Sequence, residues 1–289
     1  SCPRSPIHGS HMRVPFNERN SHPVTRREME VANVRGIDLR ALLQGGSLEV
    51  LIDEEPAPPA EAAPSAGVHL GIVSMIKKPS NFETWLHYHA EDVGVCRFYL
   101  RIEETPELQS LLCTPPYSTL VHAEWAGGCT RDWTGLATRQ AMHMRDVIDV
   151  ARSDGVTHLL HIDDDELLFL PNGQAALRSA LASEHSAVSL HVRNLEALAP
   201  SARCTNPFGE ASMFRHRPWE YGSYGYPPCS GKSFASLVHE DVAPNGPHHF
   251  GTAGTAHRGL PLPDGRSTTL PPGLAVILHY ESASYKTKP

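Results

Sequence analysis

Between Val68 and Val192, apolar runs of strand length alternate with segments whose apolar residues recur at helical spacing. Val68–Ile76, Val95–Ile102, Ser118–Trp125, Thr157–Ile162 and Ala187–Val192 read as strands. After the first, Ser80 and Glu83 have capping-box spacing, and Phe82, Trp85, Leu86, His89 and Val93 share a helical face. After the second, Thr105-Pro106 has the form of an N-cap followed by Pro at the first helical position, opening a short helix through Leu112. Ala137, Ala141, Met144, Ile148 and Ala151 mark a longer helix that stops at Ser153-Asp154-Gly155, and Asn172 precedes a helix over Gln174–Ala182. Strand–helix units on short connections predict an α/β fold with a mixed, mainly parallel sheet flanked by helices. Phe234–Val238 and Leu274–Tyr280 read as late strands of the same sheet. Ligands of such sheets bind beyond the carboxyl ends of the strands.

The organised domain is expected over 67–289 of the 289 residues. Residues 1–12 end in Gly9-Ser10-His11-Met12, which reads as an expression-vector remnant outside the fold. Residues 13–66 form an N-terminal extension with one short helix around Ile37–Leu43, then a Pro- and Ala-rich stretch over 53–66 expected to act as a linker. The net charge of −7 offers no basic field for nucleic acid or anionic lipid. No run approaches the roughly 18–20 apolar residues of a membrane span, and no signal peptide is visible, so no membrane contact is expected of this chain. Cytoplasmic and Golgi-lumenal locations both stay open. Cys113 with Cys129, or Cys204 with Cys229, could pair; the alternative is free thiols.

The chemistry concentrates in His161-Ile162-Asp163-Asp164-Asp165-Glu166-Leu167, at the end of the fourth strand. Carboxylates crowded at a strand end repel one another unless a cation compensates them. Mn²⁺ or Mg²⁺ suits such a set, being held by one or two carboxylates and by substrate phosphates. Asp163 and Asp165, two residues apart, can share one metal ion. The segment 199–231 is rich in Pro, Gly, Ser, Tyr and Arg, and its Trp219, Tyr221, Tyr224 and Tyr226 suit sugar faces.

Several motifs in order resemble glycosyltransferase family 92 and related family 2-like transferases. They are Trp85-Leu86-His87-Tyr88-His89, then Gly94 and Phe98-Tyr99, then Ile162 to Leu167 as an aspartate (DxD) motif. Gly231-Lys232-Ser233, Gly246-Pro247-His248-His249, His279-Tyr280, Ser284 and Lys286 complete the series. Two segments differ from that group. Lys77-Lys78-Pro79 stands where Lys-Asn-Glu is usual, and Glu103-Glu104 replaces an aspartate run. Both lie where such enzymes hold the nucleotide base and ribose.

The resemblance implies a GT-A fold and a metal-dependent, inverting transfer from a nucleotide-sugar donor, UDP-linked, to a glycan or glycoconjugate hydroxyl. It places Asp163, Asp164, Glu103 and Lys232 at the donor. Asp165 becomes the main metal ligand, assisted by Asp163 and by His279 or His249. Inversion requires a carboxylate to take the acceptor's proton. Glu220, Glu210 and Asp241 are candidates, with Glu220 first because it sits among aromatic residues. A metal-dependent phosphohydrolase and an inactive nucleotide- or sugar-binding module are the competing readings.

Overall fold

The computed structural model describes residues 10–15, 47–52, 67–127, 133–197, 204, 206–211, 214–215, 231–253 and 266–280, the first two segments by backbone alone. β1 (Ser10–Pro15) and β2 (Ser47–Ile52) pair antiparallel, so Ser10–Met12 lie in a strand. The expected helix at Ile37–Leu43 and linker at 53–66 lie outside the described residues.

The main body begins with β3 (Leu70–Ile76), followed by α1 (Phe82–His87), which ends in a π-helical turn over Tyr88–Asp92. β4 (Arg97–Glu103), a 3₁₀ turn (Pro106–Leu108), α2 (Gln109–Leu112), α3 (Tyr117–Leu120) and β5 (Val121–Ala126) come next. Then α4 (Trp133–Ser153), β6 (His158–His161), β7 (Glu166–Phe169), α5 (Gly173–Ser183) and β8 (Ser189–Ala197) follow. The chain continues through α6 (Pro207–Glu210), β9 (Phe214–Arg215), β10 (Gly231–Ser236), β11 (Val242–Pro244), β12 (Phe250–Thr252), β13 (Ser267–Thr269) and β14 (Val276–His279).

One mixed, mainly parallel sheet runs in the order β5-β4-β3-β6-β10-β8-β14-β7, with β9 and β13 also paired to β8. The pairs β5–β4, β4–β3, β3–β6, β8–β14 and β8–β13 are parallel. Every residue of β3 is buried, as expected of a strand covered on both faces. Its alternate side chains divide between two apolar layers. Leu70, Ile72 and Ile76 pack with Trp85, Leu86, Leu177 and Leu181, while Val73 joins Met144, Val147, Ile148 and Ala151 of α4 on the other face.

β10 decides where the site lies. It runs antiparallel between β6 and β8, with Phe234 opposite Leu160 and Ser236 opposite His158. Its first residues therefore lie beside the last residues of β6, and Lys232 arrives next to the acidic loop. By the same register its far end, and the Asp241 that follows, lie at the opposite edge.

Several local expectations are corrected. No Ser80–Glu83 capping box forms: Asn81 is the N-cap, in a left-handed conformation with φ of 55°, without a side-chain cap bond. Thr105 does not cap its helix either; its hydroxyl donates to Glu103 O at 2.8 Å and accepts from Lys78 N at 2.7 Å, joining the ends of β3 and β4. The third strand starts at Val121 rather than Ser118, because the buried Tyr117 anchors the helical turn α3 first. β7 was not expected as a strand, and β8 continues five residues beyond Val192, to Ala197.

Candidate functional site

The acidic loop spans one short turn between two strands. β6 ends at His161, Asp163–Asp165 follow the buried Ile162, and β7 begins at Glu166. Glu166 N donates to Asp163 O at 3.2 Å, and Asp163 N donates to Glu166 Oε2 at 2.8 Å. Tyr280 N donates to Asp165 O at 2.8 Å, tying the loop to the end of β14.

Among the described residues β7 has a strand partner on one side only, β14. Its other edge is satisfied by side chains of the α1 segment. Trp85 Nε1 donates to Glu166 O at 2.8 Å, and Tyr88 Oη donates to Leu168 O at 2.9 Å. Leu168 N donates to His89 Nε2 at 3.2 Å, while His89 Nδ1 contacts Trp85 O at 2.8 Å. His89 must then be neutral with its proton on Nδ1. Burial agrees, pushing its pKa down to about 3 against the smaller effect of the Trp85 carbonyl. The Trp-Leu-x-Tyr-His motif thus replaces a missing strand and fixes the loop that carries the acids.

Asp163 is engaged through both oxygens. Lys232 Nζ lies 2.5 Å from Oδ2, and Gln140 Nε2 donates to Oδ1 at 2.9 Å. Lys232 is fully buried and also meets Glu166 Oε2 at 3.3 Å. One ammonium therefore serves two carboxylates. Asp163 takes the shorter contact: burial alone would raise its pKa, but Lys232 holds it well below the ordinary carboxylate value. Glu166 is pushed up to about 7, by burial and by the charge of Asp163, with Lys232 only partly opposing. Lys232 itself stays charged, since its two carboxylates outweigh its burial. Asp164 is raised well above the carboxylate range by burial and by Asp165 and Asp163.

His279, at the end of β14, stands between two acids. Register places it opposite Glu166 on one side and beside Glu196 on the other. Its Nδ1 lies 3.0 Å from both oxygens of the buried Glu196, and its Nε2 lies 3.7 Å from Asp165 Oδ2. Burial opposes its protonation, but Asp165 and Glu196 raise its pKa to about 11. Asn194 Nδ2 donates to Glu196 Oε1 at 2.8 Å.

His249 lies elsewhere, its Nδ1 3.2 Å from Ser233 Oγ and its ring 5.2 Å from that of His191. Ser233 alternates with Lys232 along β10, so this pair occupies the other face of the sheet. Glu103 sits at the carboxyl end of β4, buried, with Arg139 Nε at 3.1 Å and Arg101 Nε at 3.4 Å. α4 thus touches two expected donor residues, through Arg139 to Glu103 and through Gln140 to Asp163. Glu210 accepts from Asn206 N at 2.8 Å, and Asp241 is held by Arg266 at 2.6 and 3.0 Å. Glu220, Ser284, Lys286, Cys129 and Cys229 lie outside the described residues, among which Cys96, Cys113 and Cys204 are free thiols.

Sequence reasoning missed Gln140, Glu196 and Asn194. Nothing local marks Gln140, one polar residue among several on α4. Glu196 required knowing that β8 extends past Val192 and lies beside β14.

No protein-family model matches the chain. It is similar to two Arabidopsis thaliana proteins described as glycosyltransferase-like. One is 29% identical over 57% of this chain and 45% of the relative; the other is 26% identical over 57% and 40%. The chain thus spans less than half the length of these curated relatives. The likeness supports a relationship to glycosyltransferase-like proteins. Among solved structures, a CMP-2-keto-3-deoxy-manno-octonic acid synthetase complexed with CTP aligns with a TM-score of 0.32 and 10% identity, over 59% of this chain and 75% of that one.

Proposed function

We propose that this chain transfers a sugar from a nucleotide-sugar donor, UDP-linked, to a hydroxyl of a glycan or glycoconjugate acceptor, with inversion and with Mn²⁺ or Mg²⁺ as cofactor. The observation that carries the reading is a concentration of carboxyl groups at the carboxyl edge of the sheet. Five carboxyl groups (Asp163, Asp164, Asp165, Glu166 and Glu196) gather there beside Lys232 and His279. Lys232 answers for Asp163 and part of Glu166, and the protonated His279 answers for Asp165 and Glu196; a divalent ion beside Asp165 would take the place of the Nε2 proton.

The residues there fit a hard divalent ion. Asp165 and His279 face one another across 3.7 Å, and the second ring nitrogen of His279 is already held by a carboxylate. Among the described residues no three His, Cys, Asp or Glu side chains converge to hold a metal ion. A two-residue set completed by phosphate oxygens is the arrangement that Mg²⁺ and similar ions accept at nucleotide sites. Asp165 and His279 would hold the ion, which would supply stabilisation of the negative charge developing on a departing nucleoside diphosphate.

The chain's own groups have separate tasks. Lys232 and Gln140 fix Asp163, leaving it an ionised, immobile acceptor for hydroxyls of the donor's ribose or sugar. Arg139 and Arg101 hold Glu103 at the neighbouring strand end, where it can receive the nucleoside. Glu210 and Asp241 are committed to other partners, and Asp241 lies at the far edge, so Glu220 is the proposed base for the acceptor proton.

The test is a thermal-shift screen of nucleotide sugars and nucleoside diphosphates with and without Mn²⁺, followed by a donor-hydrolysis assay. Stabilisation by UDP-sugars that depends on Mn²⁺ is expected. Cleavage of simple phosphate esters without selectivity for nucleotide sugars would favour a phosphohydrolase.

A further inference from the structure

We infer that Glu196 is a positioning residue, which sets the ring orientation of His279 so that Nε2 is presented to Asp165. The inference rests on the metal reading above and extends it to a residue that does not touch the ion.

Three observations lead to it. First, parallel pairing of β8 and β14 puts Glu196 and His279 side by side at the end of two central strands. Their relation is therefore fixed by backbone hydrogen bonds rather than by flexible loops. Secondly, both Glu196 oxygens lie 3.0 Å from the same ring nitrogen, Nδ1, so the ring is held by a two-point cradle. Thirdly, Glu196 is 2% exposed, and Asn194, two residues earlier on the same strand, donates to Oε1. An ionised carboxylate buried this far persists only when it is hydrogen-bonded and paired.

The consequence concerns the ring. Both ring nitrogens face carboxylates, Nδ1 towards Glu196 and Nε2 towards Asp165, so the ring carries both protons until an ion would displace the one on Nε2. With Glu196 holding Nδ1–H, Nε2 is the nitrogen left to face Asp165 and to take an ion there. Rotating the ring by 180° about its Cβ–Cγ bond would bring carbon to Glu196 and leave the buried carboxylate without its partner. Removing Glu196 releases this constraint while leaving Asp165 and His279 intact.

The test uses Mn²⁺ with UDP as the diphosphate probe, measured by calorimetry and by electron paramagnetic resonance of free Mn²⁺. With Mg²⁺ in place of the paramagnetic Mn²⁺, ring-nitrogen shifts of His279 in ¹⁵N-labelled protein report whether Nδ1 still faces its acceptor. Glu196→Ala is expected to weaken Mn²⁺ binding about 10–100-fold, as loss of a carboxylate behind a metal-bound histidine does. Glu196→Gln retains an acceptor and should lose less, keeping the ring orientation that Glu196→Ala loses. If Glu196→Ala does not fold, Glu196→Asp is measured in its place, with a loss between those of wild type and of Asp165→Asn. Wild-type Mn²⁺ affinity in the Glu196 variants, with affinity lost in Asp165→Asn, would overturn this inference alone. Unchanged affinity in both would overturn it together with the metal reading.

Discussion

Lys232 is the buried charge on which the acidic loop depends, and Lys232→Met isolates its contribution. Methionine fills similar volume and removes only the ammonium. The lysine is 0% exposed, 2.5 Å from Asp163 and 3.3 Å from Glu166. Its removal leaves two carboxylates beside each other, with Glu166 95% and Asp163 70% shielded by their side-chain exposures of 5% and 30%. Breaking a buried ion pair on one side typically costs about 3–5 kcal/mol. For a chain of this size that lowers Tm by roughly 10 °C. The sign with pH is also fixed. Asp163, held low by Lys232, contributes stability above its unfolded value, and that stability fades as pH falls through the folded value. Without the lysine, both carboxyls rise and take up protons on acidification, so the deficit of the variant shrinks between pH 7 and pH 5. Urea denaturation at both pH values, for Lys232→Met and for Lys232→Met with Asp163→Asn, checks this. The double variant should recover at least half of the loss. A loss below about 1 kcal/mol, the level of a surface pair, or a loss indifferent to pH and to Asp163→Asn, would refute the account of the pair.

Other consequences follow from the same geometry. Trp85→Phe leaves Glu166 O without its indole donor and should cost about 1–3 kcal/mol in urea denaturation. His89, its pKa lowered by burial from 6.5 to about 3, contributes stability that is complete above pH 6.5 and lost as pH falls toward 3. Its share of that loss is about 2 kcal/mol by pH 5, so His89→Gln should be less stable at neutral pH yet lose stability less steeply on acidification. Glu220→Gln should reduce sugar transfer by about 10²–10⁴-fold while nucleotide binding, read by calorimetry, stays as in wild type.

Much of the frame was legible because the signals are local. The strands at β3, β4, β6, β8, β10 and β14 appear as apolar runs, and the acidic cluster falls at the strand end where an α/β sheet binds ligands. Lys232 and Asp163 are both donor candidates in the sequence, but only the antiparallel direction of β10 explains why they meet. What was not legible depends on pairing between distant segments. β7 is a four-residue strand hidden inside an acidic motif, defined by β14 on one edge and by the side chains of Trp85, Tyr88 and His89 on the other. Thr105 carries the composition of a helix cap but spends its hydroxyl on the ends of β3 and β4. The sequence favours His279 over His249 as a ligand candidate without placing either; the sheet puts one against Asp165 and the other against Ser233.

Calorimetric titration of Asp165→Asn with UDP, with and without Mn²⁺, tests the central claim most directly. The substitution keeps the side-chain shape, leaves the Lys232–Asp163 pair untouched, and removes the charge a hard cation requires. The account predicts that wild-type protein binds UDP far more tightly with Mn²⁺ than without it, and that Asp165→Asn loses this metal-dependent gain while unfolding as cooperatively as wild type. Retention of wild-type, Mn²⁺-dependent UDP binding by Asp165→Asn would contradict it.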